Sequence, residues 1–274
     1  MIWVILSGAL LFLIAVVIFC IAPGALTSGA RDAAGIFRIK NFAHRGLFSA
    51  DQVVPENSLS AFSAARDEGY GVELDVQLSK DGQVVVFHDD ALIRVCRVDT
   101  PIREMKLAEL SALRLFSSDE HIPLLSEALE ILGDTPVIVE LKSARARNPE
   151  LCTKTLDILR AHGGNWCVES FDPRILAWFR KTAPDVLRGQ LSALPREFTS
   201  ESKPVAFALG NLLMNFLSRP HFIAYKEGPL PFTVRMCRAM KPMTVIWTVN
   251  PKSDIKRCEK DHDAVVFEHY KPNR

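Results

Sequence analysis

The stretch VELDVQLSKDGQVVVFHDD, residues 72–90, is where the fold is decided. Side chains alternate between the two faces of a strand, so Glu73 and Asp75 project one way and Val72, Leu74 and Val76 the other. Two carboxylates on the face of an otherwise apolar strand repel one another unless a cation or a proton lies between them. A solvated edge strand is the alternative reading. Lys80, Asp81 and Gly82 form a hairpin-type turn, so the apolar run 84–88 that ends in His88 is expected to pair antiparallel with its predecessor.

The same parity recurs in VIVELK, residues 137–142, where Glu140 and Lys142 share one face and Val137, Val139 and Leu141 the other. A solvated strand face would alternate throughout, whereas this one is apolar until Glu140. Further strand candidates are 42–45, 166–171, 186–191, 222–225, 244–249 and 264–267, with helical patterns between most of them. One helix begins at Ser58 behind Asn57, read as its N-cap, and is closed by Gly69. Such alternation predicts an α/β chain folded as a (β/α)8 TIM-type barrel. Nine strand candidates compete for eight positions, so the barrel is expected to be irregular near 84–88. Residues 91–135 exceed an ordinary crossover and read as an elaboration.

The 274 residues are 48% hydrophobic and 24% charged, which suits one large domain and excludes disorder as the main state. A net charge of +1 without a basic stripe argues against nucleic acid. Six scattered cysteines without a CxxC pair read as buried free thiols. Residues 2–22 carry no charged side chain and are long enough to cross a bilayer core of about 30 Å. The expected organisation is a transmembrane anchor over 1–23, a linker over 24–40 and the barrel over 41–274. A signal peptide cleaved near Ser28-Gly29-Ala30 is the rival, disfavoured because no Lys or Arg precedes the apolar run. Arg31, Arg38 and Lys40 follow it, so the expected location is a single-pass cell-membrane protein with its barrel in the cytoplasm.

Three carboxylates on two strands, Glu73, Asp75 and Glu140, suit one hard divalent cation, Ca²⁺ or Mg²⁺. Such an ion is a Lewis acid for phosphodiester cleavage, with Arg45 and Lys142 adding positive charge. His44 and His88, at strand ends, have the titration range for the two proton transfers.

These residues stand in the order AHRG (43–46), PENS (55–58), VELDVQLSKDGQVVVFHDD (72–90) and VELK (139–142), followed by SF (170–171), RGQL (188–191) and WTVN (247–250). In this the chain resembles the glycerophosphodiester phosphodiesterase family over most of its length after the apolar segment. The resemblance implies a triose-phosphate-isomerase-type barrel that hydrolyses glycerophosphodiesters to an alcohol and glycerol phosphate. It implies acid/base roles for His44 and His88, metal ligation by Glu73, Asp75 and Glu140, and phosphate contacts from Arg45 and Lys142. Glu56 and Asn57 are implied to shape the site or simply to turn the chain. Trp247, read as facing the same way as Val245 and Val249, lines a glycerol pocket or packs the barrel.

The chain departs from the family's DGIITD-like last strand, placing Phe267 and Glu268 at its final two positions. The apolar segment 205–217 reads as a packed barrel helix, or as one that borders the site and admits a lysophospholipid acyl chain through Leu212, Leu213 and Phe216. Three alternatives accompany the hydrolase: a lysophospholipase D acting at the membrane, a phospholipase C-like lyase, and a membrane-tethered phosphate-binding module without turnover.

Overall fold

A computed structural model describes residues 2–38 and 41–272, with the side chains of residues 2–5 and of residue 145 left aside. Lys40 and part of the expected linker lie outside the described residues. The strands are β1 (Asn41–His44), β2 (Gly71–Leu78), β3 (Val84–Val86), β4 (Val137–Leu141), β5 (Trp166–Ser170), β6 (Arg188–Ser192), β7 (Phe222–Lys226), β8 (Met243–Val249) and β9 (Ala264–Phe267). The helices are α1 (Ile2–Ile21), α2 (Ser28–Phe37), α3 (Leu59–Asp67), α4 (Ile93–Cys96), α5 (Leu107–Leu110), α6 (Leu125–Leu132), α7 (Asn148–His162), α8 (Pro173–Thr182), α9 (Lys203–Gly210), α10 (Asn215–Ser218), α11 (Phe232–Ala239) and α12 (Ile255–Asp261).

Eight strands run parallel in the order β1-β2-β4-β5-β6-β7-β8-β9, and β9 returns to β1, closing the barrel. The ninth candidate, β3, pairs antiparallel with the end of β2, from Val76↔Val86 to Leu78↔Val84. The turn between them has Gly82 at φ +75°, and the Ser79 amide donates to the Gln83 carbonyl at 2.9 Å. Beyond it, Val85 and Phe87 pack with Leu92, Val95, Ile102, Leu110, Leu115 and Ile122, so the elaboration over 91–135 has a small core of its own.

Alternation divides the buried side chains into two cores. Val72, Leu74 and Val76 point outward to the helices, as do Val139 and Leu141. Phe42, Ile138, Cys167, Leu187, Phe222, Met243, Val245 and Ala264 fill the barrel interior. Room for two of these rings depends on glycine: a Cβ on Gly71 would lie 2.4 Å from the Phe42 ring, and one on Gly189 only 1.9 Å from the Phe222 ring. Val249 joins the outer core instead of sharing Val245's face, because pairing slips between Ile246 and Val249.

Three expectations are corrected. The linker contains α2, capped by Thr27, whose Ala30, Ala34 and Phe37 are buried against the barrel interior, with Phe37 stacked on Phe42 at 5.7 Å. Small residues there serve close packing of α2 rather than flexibility. The segment 205–217 is two helices, α9 and α10, interrupted where Leu212 takes φ +58°. The expected transmembrane anchor is not supported, since among the described residues no helix is long and apolar enough to cross a membrane. The side chains of α1 are described from Leu6 onward, and its end is docked on the barrel through Val17 and Ile21, which pack with Leu212, Ile223, Val234 and Cys237.

Candidate active site

Because Glu73 and Asp75 share parity with Gly71, and Glu140 with Ile138, all three carboxylates enter the barrel above the apolar filling. Parallel pairing sets Asp75 opposite Glu140, and oxygens of Glu73, Asp75 and Glu140 lie within 4.8 Å of one another, all buried. Lys142, just past β4, places its Nζ 2.8 Å from both Asp75 Oδ1 and Glu140 Oε1. Burial and the neighbouring Asp75 and Glu140 charges push Glu73 well above the usual carboxylate range. Burial raises Glu140 as well. At Asp75 burial is outweighed by Lys142, His88 and Arg45, which hold it well below that range. An all-oxygen cluster of three carboxylates, whose mutual repulsion Lys142 and Arg45 offset only in part, fits a hard divalent cation.

Two histidines flank this cage. The Nδ1 of His44 lies 2.8 Å from Glu268 Oε2, and the Nδ1 of His88 lies 2.6 Å from Asp89 Oδ1. An ionised carboxylate can only accept, so each Nδ1 carries the proton and each Nε2 is left for chemistry. His44 Nε2 faces the cage at 4.0 Å from Glu73. Burial lowers the pKa of His44 although Glu268 opposes it, so the ring is neutral at pH 7.

An ionic chain joins the two sides of the mouth. Arg45 Nη1 donates to Glu56 at 2.7 Å, Arg94 donates to Glu56 at 2.7 and 3.0 Å, and Arg94 Nε donates to Asp89 at 2.6 Å. Arg45 and Arg94 hold Glu56 below its usual pKa despite its burial. Asn57 is not the cap of α3; Ser58 is, its hydroxyl accepting from the Ala61 amide. Asn57, at φ +55°, turns inward and donates to Asp75 Oδ2 at 2.9 Å. Glu56 and Asn57 therefore buttress Arg45 and Asp75 rather than line the opening.

His44, Arg45, Glu73, His88, Glu140, Lys142 and Trp247 line one cavity of about 410 Å³ at the carboxyl ends of the strands. Trp247 meets Phe171 edge-on at 5.6 Å. Sequence reasoning missed Glu169, Lys226, Asp89 and Arg94. Parity with Cys167 along β5 was the available signal for Glu169, and adjacency to His88 for Asp89. A second hollow, about 850 Å³, opens beside the first and shares Glu140, Lys142, Phe171, Lys226 and Trp247 with it. Its apolar wall includes Phe198, Val205, Leu209 and Met214. Leu212, Leu213 and Phe216, expected here, face α1 instead: Leu212 and Leu213 join the core around Ile21, and Phe216 meets Phe19 at 6.1 Å.

A parallel barrel whose mouth sets paired imidazoles and cationic side chains around an acidic cage has the layout of a phosphodiesterase. Known proteins narrow this. Residues 44–269 match the model of the glycerophosphoryl diester phosphodiesterase family, and the chain belongs to that family. A glycerophosphodiester phosphodiesterase of Caldanaerobacter subterraneus is 29% identical over 80% of this chain and 88% of its own. A phosphodiesterase of Oleispira antarctica, solved with the product sn-glycerol-3-phosphate, superposes with a TM-score of 0.70 at 28% identity, covering 85% of this chain and 94% of that one. A human lysophospholipase D is 32% identical over 46% of this chain and 42% of its own.

Proposed function

We propose that the chain hydrolyses glycerophosphodiesters with one Ca²⁺ or Mg²⁺ held by Glu73, Asp75 and Glu140, and with His44 and His88 as the proton-transfer pair. The observation that carries this reading is that both histidines, each fixed through Nδ1 by a carboxylate, line the same cavity as Glu73 and Glu140 of the cage. When bound, the cation supplies charge stabilisation to a phosphoryl oxygen. Arg45 and Lys142 hold the phosphate, and the neutral Nε2 of His44 takes the proton of the attacking hydroxyl or water. His88, at the rim, delivers a proton to the leaving alkoxide.

The test is an assay of the full chain against glycerophosphocholine and lysophosphatidylcholine, with chelator and with added Ca²⁺, Mg²⁺ or Mn²⁺. Activity that survives chelation sinks the cation site. Cyclic phosphate accumulating as end product points to a lyase, and absence of turnover with every metal to a binding module. His44→Ala and His88→Ala should each lower kcat by about 10²–10⁴-fold while Mn²⁺ affinity, measured by calorimetry, is kept. Undiminished turnover in either variant removes that residue from the pair.

A second reading, hydrolysis of lysophospholipids, is favoured by the apolar hollow contiguous with the cavity and by the partial likeness to a lysophospholipase D. Its volume lies within the ~300–1,000 Å³ of ordinary ligand sites. Leu209→Asp should lower kcat/KM for lysophosphatidylcholine about tenfold or more and spare glycerophosphocholine. Equal loss on both discards the acyl groove. Association with the cell membrane, barrel on the cytoplasmic side, belongs to the same proposal. Its support is the uncharged α1, whose Leu10, Leu11, Phe12 and Leu13 are exposed, followed by Arg31 and Arg38. Cell fractionation, together with protease protection of the barrel, checks it.

A further inference from the structure

We infer that Glu169 is a specificity-determining residue that receives a hydroxyl group of the substrate's glycerol moiety. The inference rests on the glycerophosphodiester reading above. Glu169 follows the inward parity of Cys167 along β5 and stands in register with Glu140, so its carboxyl enters the barrel next to the cage. It lines the catalytic cavity and is 2% exposed.

What separates it from its neighbours is the lack of a partner. Glu73 accepts from the Arg45 amide, Asp75 from Asn57, and Asp75 and Glu140 both hold Lys142. Among the described residues no cation pairs with Glu169, and its Oε2 is buried without a hydrogen bond. It also stands outside the group of three whose oxygens converge for a cation. A buried polar atom left unpaired costs free energy, and a satisfied alternative would be selected unless the partner arrives with a ligand. The cavity already has cations for the phosphate in Arg45 and Lys142, while a carboxyl group is complementary to an alcohol. The indole Nε1 of Trp247, in the same lining, is likewise buried and unpaired, offering a donor where Glu169 offers an acceptor. Vicinal hydroxyls of glycerol have the donor and acceptor functions to satisfy both. A diester without hydroxyls would leave Glu169 unpaired, which is how a polar site rejects an analogue.

The experiment compares the full chain with Glu169→Ala and Glu169→Gln on glycerophosphocholine and on bis(4-nitrophenyl) phosphate, a diester with no glycerol. Calorimetry adds the affinities for Mn²⁺ and for glycerol 3-phosphate against methyl phosphate. Glu169→Ala should raise KM for glycerophosphocholine by about tenfold or more and remove the preference for glycerol 3-phosphate over methyl phosphate. Hydrolysis of bis(4-nitrophenyl) phosphate should hold or rise, since no carboxyl is then left unpaired, Mn²⁺ affinity should change less than about twofold, and Glu169→Gln, which still hydrogen-bonds, should recover part of the loss on glycerophosphocholine. Equal loss on both diesters, or weakened Mn²⁺ binding, overturns the assignment in favour of a structural or metal-ligating role. A wild-type chain that hydrolyses neither diester yet prefers glycerol 3-phosphate in a Glu169-dependent way sinks the hydrolase reading and leaves the subsite standing.

Discussion

Glu268 sits at the position where the chain departs from its family's last strand, and the structure gives that departure a partner. Its carboxylate accepts from His44 Nδ1 at 2.8 Å, while His44 in turn holds Glu268 below its usual pKa. Glu268→Gln keeps an acceptor for Nδ1–H but removes the charge that supports an imidazolium, so kcat on glycerophosphocholine should fall about tenfold with KM little changed. A change confined to KM would place Glu268 on the substrate rather than behind His44. The triad itself was legible, because strand parity alone joins Glu73 to Asp75 and aims Glu140 and Lys142 together. The roles of His44 and His88 came from the order of motifs, since a histidine at a strand end carries no signature of its own. The Arg45–Glu56–Arg94–Asp89 chain was not legible: Glu56, in the turn before α3, and Arg94, on α4, meet across 38 positions, which no local pattern joins. Asn57 and Ser58 are both good caps by residue type, and what decides between them is φ, which the sequence does not display.

At the scale of elements, β6 and β7 show how the interior is filled. Gly189 pairs with Phe222 across the two strands, and the Phe222 ring occupies the space where a Cβ on Gly189 would sit. Gly189→Ala should therefore destabilise the chain by about 1–3 kcal/mol, read as a lower urea midpoint, and Phe222→Leu in the same chain should recover part of it. An unchanged midpoint would mean the ring moves aside freely. The eight barrel strands were readable from apolar runs and spacing, and the antiparallel β3 from its Lys80–Gly82 turn. Helices were read less well. The linker's alanines looked like linker composition and turn out to be the small face α2 needs against the barrel. The apolar bulk of 205–217 masked a break that Gly210-Asn211, where α9 ends, did signal, although the left-handed backbone at Leu212 itself leaves no trace in residue type. Its two halves part company: Val205 and Leu209 face the hollow beside the site, and Leu212 faces α1.

Across the whole molecule the barrel is polarised along its axis. Residues of α2 pack against its apolar filling, and the carboxyl end carries the acidic cage and the imidazoles. Such polarity was invisible residue by residue, since it requires the register of all eight strands at once. It also locates where acid should act on stability apart from the site. His221, immediately before β7, is 2% exposed, and its Nδ1 accepts from the Arg188 amide at 3.4 Å. Burial and then the Arg188 charge lower its pKa from 6.5 to about 4. In the unfolded chain the ring binds a proton below about pH 6.5, whereas the folded chain resists doing so until about pH 4. The unfolded state thus holds more protons across that window, and stability must fall as pH drops through it. At about 1.36 kcal/mol per pH unit the full contribution amounts to roughly 3–4 kcal/mol, present above pH 6.5, and roughly 2–3 kcal/mol of it is lost by pH 4.5. Urea denaturation at pH 7 and pH 4.5 isolates it through His221→Gln, which cannot titrate and still offers an acceptor to Arg188. Carboxylates titrate in the same window in both chains, so the difference between the two pH slopes is the quantity that counts. The variant should lose roughly 2–3 kcal/mol less than the wild type over this interval. Equal slopes would show that His221 takes up its proton in the folded barrel as readily as in the open chain.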